Sequence, residues 1–300
     1  MNKMIHLNIN NYDKICNHER LEHNQVFGFK GLIIKKPLEK DIITFKQTLV
    51  KDINEPYLSK MDKIKDIPQY NTEFPHDGEF YCGPVAASNV IMNLAEEGYS
   101  NITGGKNQVE VTKELAKFFK TDEHGSTCNN VAQGLYNFIL SKGYKIKRLE
   151  YQGLREVDRF KKATKPNIDD LKKSLEKSGI VLLDCGYYKM TLNNGKPTYK
   201  REYEHWVPLV GHSYDGRKAD ENSLIIHDSF ARCCSSKSNR YLKLHEIKNG
   251  TLLSGDWEIE KWSPCDANGY FEAENDLGYM HPDLKFILDG AVILELEEPK

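Results

Sequence analysis

The chain has 300 residues, 39% of them apolar and 29% charged, and a formal net charge of −2. That apolar content can bury one sizeable core, or one core and a smaller appendage. Near-neutral charge gives no electrostatic basis for gripping nucleic acid or an anionic membrane, and no run of about 18 apolar residues is present to span a bilayer.

The first residues, Met1-Asn2-Lys3-Met4-Ile5-His6-Leu7-Asn8, lack the apolar core of a secretory signal. Seven cysteines, an odd number spread over a long chain, point to reduced thiols and a cytoplasmic protein. Export by a specialised secretion machine would leave the same signature. Residues 1–60 read as an N-terminal extension of unknown role, with strand character at Val26–Ile34 and helical character at Leu38–Val50. Residues 61–300 read as one domain.

Within that domain, Phe80-Tyr81-Cys82-Gly83-Pro84-Val85-Ala86-Ala87 predicts a tight turn that delivers one cysteine to the start of a helix. Proline is tolerated in a first helical turn, where its missing N–H has no partner to lose. The helix is apolar around most of its circumference through Val85, Ala86, Ala87, Val90, Ile91, Leu94 and Ala95, so it belongs in the interior. Two amphipathic helices follow, over about Gln108–Phe119 and Asn129–Ser141, the second stopped at Gly143. Alternation predicts a strand over Lys145–Tyr151; residues 153–165 carry no clear pattern. A helix starting near Asn167, with Asp169 and Asp170 in its first turn, runs to Lys177. It precedes a strand at Ile180–Tyr187.

Asn193-Asn194-Gly195 marks a turn leading into the apolar run His205-Trp206-Val207-Pro208-Leu209-Val210. Tyr214-Asp215-Gly216-Arg217 is a second turn signal, which pairs that run antiparallel with Ser223-Leu224-Ile225-Ile226-His227-Asp228. Beyond Phe230, a helix is expected around Lys243–Ile247 and a closing strand at Gly290–Leu296. Helices first and a mostly antiparallel sheet after make an α+β pattern.

A thiol at a helix N-terminus feels the positive end of the dipole, which favours the nucleophilic thiolate. Cys82 is therefore the candidate nucleophile, His205 its base, and Asp228 the group that orients the imidazole. His227 alternates to the other strand face. The vicinal pair Cys233-Cys234, near His227 and Asp228, does not follow zinc-ligand spacing, and no metal or cofactor is implied.

These three segments, Cys82-Gly83-Pro84 opening a helix, His205-Trp206-Val207 on a strand and Ile225-Ile226-His227-Asp228-Ser229 on the next, resemble the papain-like cysteine peptidases. The nearest likeness is to the bacterial C39-like (bacteriocin-leader-peptidase-like) branch, over roughly Ile67–Phe230. The phytochelatin-synthase branch is similar around Cys82 and His205–Asp228. The resemblance implies a papain-like α+β fold, with a buried nucleophile helix packed on the sheet. It also implies an oxyanion donor upstream of the cysteine, for which Gln69 is the nearest glutamine and Asn71 and His76 are substitutes. The implied reaction is cleavage of a peptide or isopeptide bond through a thioester. Acyl transfer or deamidation by the same triad, and a catalytically inactive binding module, stay open beside it. Substrate and oligomeric state are not legible.

Overall fold

The computed structural model describes residues 58–59, 64, 66–177, 179–230, 239–256, 258, 261–274 and 283–299. The expected strand at Val26–Ile34, the helix at Leu38–Val50 and the Cys233-Cys234 pair lie outside them.

The nucleophile helix, α1, spans Cys82–Glu96, and Gly83 through Ile91 are buried along it. Helix α2, Gln108–Phe118, starts on a reciprocal capping box between Asn107 and Glu110. Helix α3, Cys128–Ser141, is capped by the Thr127 hydroxyl, which accepts from the Asn130 N–H. Helix α4, Ile168–Glu176, is capped by Asn167 with Asp169 and Asp170 in its first turn. All four arise where the sequence predicts helices, and side-chain caps start all but α1.

Among the described residues, eleven strands join one mixed sheet. They are β1 (Leu58–Ser59), β2 (Ile146–Gly153), β3 (Lys161–Ala163), β4 (Ile180–Asn193), β5 (Lys196–Tyr214), β6 (Ala219–His227), β7 (Asn239–Glu246), β8 (Thr251–Leu253), β9 (Cys265–Asp266), β10 (Phe271–Glu274) and β11 (Leu284–Leu296). Strands β4, β5, β6, β7, β10 and β11 pair antiparallel in a ring, with β11 returning to β4. A ring of pairings leaves its members without free edges. The short β1 adds to β5, with Leu58 opposite His212.

One expectation fails here. Lys243–Ile247 is not a helix: Lys243–Glu246 belong to β7, held between β6 and β10. Leu242 and Leu244 are buried while Lys243 and His245 are exposed, a period of two that a five-residue window does not separate from a helical turn. Strands β4 and β11 also run further than expected: β4 continues to the hairpin tip at Asn194 and Gly195, and β11 begins at Leu284, opposite Lys189 of β4.

Period-two alternation divides the sheet residues between two cores. Val181, Leu183, Val207, Leu209, Leu224 and Ile226 pack inside the strand ring. Leu182, Trp206, Val210, Ile225 and Val292 face the helices and meet Ala86, Ala87, Val90 and Ile91 of α1. The site lies where this second core reaches the start of α1.

Candidate active site

Cys82 is the first residue of α1 and is partly exposed. No side chain caps this helix N-terminus, so the thiol sits among unpaired backbone N–H groups at the positive end of the dipole. Facing it from β5, His205 is 5% exposed, and Asp228, one residue past the end of β6, is 1% exposed.

The imidazole is engaged on two sides. Its Nε2 lies 2.9 Å from Asp228 Oδ1, and the Cys82 sulfur is near enough to favour the charged form of the ring. With Nε2 committed to the carboxylate, Nδ1 is the nitrogen left for sulfur. Burial opposes charging this ring, but Asp228 and the Cys82 sulfur outweigh it and push the histidine up to about 10. Burial likewise opposes the Asp228 charge, yet His205 and the Phe230 N–H, at 2.9 Å from Oδ1, hold this carboxyl below its usual range. The Phe230 ring packs edge-on against both His205 and Tyr70. Cys82, His205 and Asp228 are thus brought together.

Gln69 reaches the same region by a backbone tether. Its N–H donates to the Ser229 carbonyl at 3.2 Å, and its Nε2 donates to the Glu79 carbonyl at 2.9 Å. Gly78 permits the crossing: it sits at φ +85°, and a β-carbon there would lie 1.9 Å from the Gln69 carbonyl oxygen. One Nε2 proton of Gln69 stays available. The two substitutes make other contacts that leave their own N–H donors unengaged among the described residues. Asn71 Oδ1 accepts from the Glu73 N–H, and the His76 ring stands edge-on to Phe80. His227 is buried against Asp66, which also accepts from Asn89 of α1.

Sequence reasoning missed a buried polar network behind His205. Arg201 is fully buried and lies beside Asp184, Glu204, Glu258 and Asp289 at 2.8–3.2 Å. Gly186 makes this possible, since a β-carbon there would lie 2.6 Å from Arg201 Nε. Cys128 donates its thiol proton to Asp184 Oδ2 at 2.9 Å, and burial beside that carboxylate pushes the thiol well up. Tyr188 bonds to Asp289, whose burial raises it to about 7. Burial also raises Glu204. The legible signal was an aspartate inside each of two apolar runs, Asp184 in Ile180–Cys185 and Asp289 in Phe286–Leu294. A charge in a buried strand requires a partner.

Cys128, Asp184 and Glu204 bring donor atoms within 4.8 Å of one another. Both Asp184 oxygens are already engaged by Arg201 and Cys128, and both Glu204 oxygens by Trp206 and Arg201. The cluster is therefore satisfied by guanidinium and thiol, and a divalent cation would sit against a fixed positive charge.

No helix among the described residues is long and apolar enough to cross a membrane. No protein-family model matches the chain, and no curated protein does. Among solved structures, a Bacillus anthracis protein provisionally described as a C39-like peptidase is similar at 10% identity and a TM-score of 0.38. The match covers 82% of this chain and 100% of that one.

Proposed function

We propose that this protein is a papain-like thiol hydrolase of the C39-like kind, cleaving a peptide or isopeptide bond with Cys82, His205 and Asp228. The observation that carries the reading is the imidazole held between a buried carboxylate and a half-exposed sulfur at a helix N-terminus. A histidine pushed up to about 10 is an imidazolium at neutral pH, the partner a thiolate needs.

In the derived reaction, the sulfur attacks the carbonyl carbon and the carbonyl electrons move to oxygen. The Cys82 backbone N–H and the remaining Nε2 proton of Gln69 are the donors assigned to that oxyanion. Collapse breaks the C–N bond, and the imidazolium gives its proton to the departing amine. Water, deprotonated by the neutral His205, then opens the thioester, releasing the acid and the thiolate beside the re-formed imidazolium.

Acyl transfer differs only in the second acceptor. Incubation of the protein with a peptide ester, with and without an added amine, distinguishes free acid from amide product. The reading itself is tested by iodoacetamide near pH 6 with the modified residue mapped by mass spectrometry. Selective labelling of Cys82, abolished by Cys82→Ala, supports it. Equal labelling of the cysteines, and only after denaturation, overturns it in favour of an inert binding module.

A further inference from the structure

The segment Asp66-Ile67-Pro68-Gln69 reaches the site along the seam between α1 and the end of β6, and it begins on a buried carboxylate that the triad chemistry does not use. The Asp66 side chain is 7% exposed. Its Oδ1 accepts from Asn89 Nδ2 at 3.0 Å, and its Oδ2 lies 3.6 Å from Nδ1 of the buried His227. Asn89 is fully buried and stands two turns beyond Cys82 on about the same face of α1. Its Oδ1 accepts in turn from Gln108 Nε2 at 2.7 Å, at the start of α2. His227 is the chain neighbour of Asp228. One carboxylate therefore spans the helix that carries the nucleophile and the strand end that precedes the orienting aspartate.

Apolar contact holds this segment too, since Ile67 packs against the cluster of Phe74, Tyr81 and Val85. Such contact is non-directional, whereas the hydrogen bond from Asn89 has a direction. Pro68 carries that direction onward, because its ring fixes φ and disfavours a helical Ile67. Gln69, at the other end, depends on it. Its N–H meets the Ser229 carbonyl and its Nε2 meets the Glu79 carbonyl, but its Oε1 is buried with no hydrogen-bond partner among the described residues. The amide is gripped on its donor side alone, so the backbone sets where the second Nε2 proton points. The two ties of the segment, Asp66 against His227 and Gln69 against Ser229, straddle Asp228.

We propose that Asp66 is a positioning residue for the oxyanion side of the site: anchored on Asn89 and His227, it sets the segment that delivers the Gln69 amide. The proposal rests on the thiol-hydrolase reading and adds a residue to its machinery.

The test uses the full-length chain and two reagents for Cys82. 4-Nitrophenyl acetate acylates the sulfur through a tetrahedral oxyanion, read as nitrophenolate release with the Cys82→Ala rate subtracted. Iodoacetamide alkylates the same sulfur by displacement and forms no oxyanion. Asp66→Ala should slow acylation about ten- to hundredfold, the scale of a small displacement of a catalytic group, and leave alkylation unchanged. In a Gln69→Ala background it should slow acylation no further, because the donor it positions is gone. A residue that only stabilises the fold would slow both reactions or neither. Unchanged acylation, an equal fall in both rates, or a full further loss on top of Gln69→Ala overturns the proposal. So does a shifted alkaline limb for iodoacetate, which would place the action on Asp228 instead. If Asp66→Ala does not fold, Asp66→Asn takes its place under the same criteria. It keeps the acceptor for Asn89 and loses the charge facing His227, so acylation alone should fall about threefold or more. Failure of iodoacetamide to select Cys82 in the wild-type chain defeats the underlying hydrolase reading instead, so the two failures are distinct.

Discussion

At the scale of single residues, the pairing of His205 with Asp228 sets a pH window. The imidazole is raised from its ordinary 6.5 to about 10, against its own burial, by Asp228 and the Cys82 sulfur. A base raised on folding contributes stability that is fully present below pH 6.5 and is lost as pH rises through 10. The same proton governs reactivity. Iodoacetate is anionic, so its attack on Cys82 is assisted while His205 is charged; its rate should hold to about pH 10 and then fall. Asp228→Asn removes the leading favourable partner, and the fall should move down by at least about one pH unit. Turnover at neutral pH should drop roughly 10²–10⁴-fold. An unmoved alkaline limb in the variant would mean that Asp228 does not orient the ring. Gln69 is separable from this pair. If its free Nε2 proton serves the oxyanion, Gln69→Ala should lower turnover about 10²–10³-fold while Cys82 alkylation, which forms no oxyanion, keeps its rate. A parallel loss in both assays would make Gln69 a packing residue.

At the scale of elements, β5 carries the most. Over five residues it supplies Arg201 and Glu204 to the buried network and His205 to the sulfur. Asp289, on the opposite side of that network in β11, is raised to about 7 by burial, with Arg201 pulling the other way. The folded state then binds more protons than the unfolded chain between about pH 4 and 7, so Asp289 lowers stability as pH rises through that window. Asp289→Asn removes the titration and keeps an acceptor for Tyr188. The difference in urea midpoint between variant and wild type should change with pH from 4 to 7, by an amount on the order of a few kcal/mol, and stay constant above it. A pH-independent difference would sink this account. The same strands show what was legible in the sequence. His205 and Asp228 were readable because one opens an apolar run, the other closes the next, and a turn signal joins the runs; the register that sets Cys185 opposite His205 was not. Lys243–Ile247 was misread because its two leucines fit either period until β6 and β10 were known to flank it. Arg201 sits among polar neighbours, so nothing local marked it as buried. Only Asp184 and Asp289, charges inside apolar runs, announced that a buried cation existed somewhere.

At the scale of the whole molecule, nucleophile and base come from different layers. Cys82 begins a helix, His205 belongs to the strand ring and Asp228 follows directly on its β6, and no covalent or metal link among the described residues spans the short gap between them. What holds the distance is a shared apolar core, in which Ala86, Ala87, Val90 and Ile91 of α1 meet Val210, Ile225 and Val292 of the sheet. Layers that share one core are expected to come apart in one cooperative step. Selective Cys82 labelling should therefore vanish at the same urea concentration as the far-ultraviolet helical signal. Ile225→Ala makes the test sharper, because Ile225 is fully buried in that core and distant in sequence from the sulfur. Deleting its side chain should destabilise the fold by about 2–5 kcal/mol and shift both transitions together. Labelling that is lost well before the helical signal would show the layers separating independently, and the site would then be an encounter between two units rather than a property of one.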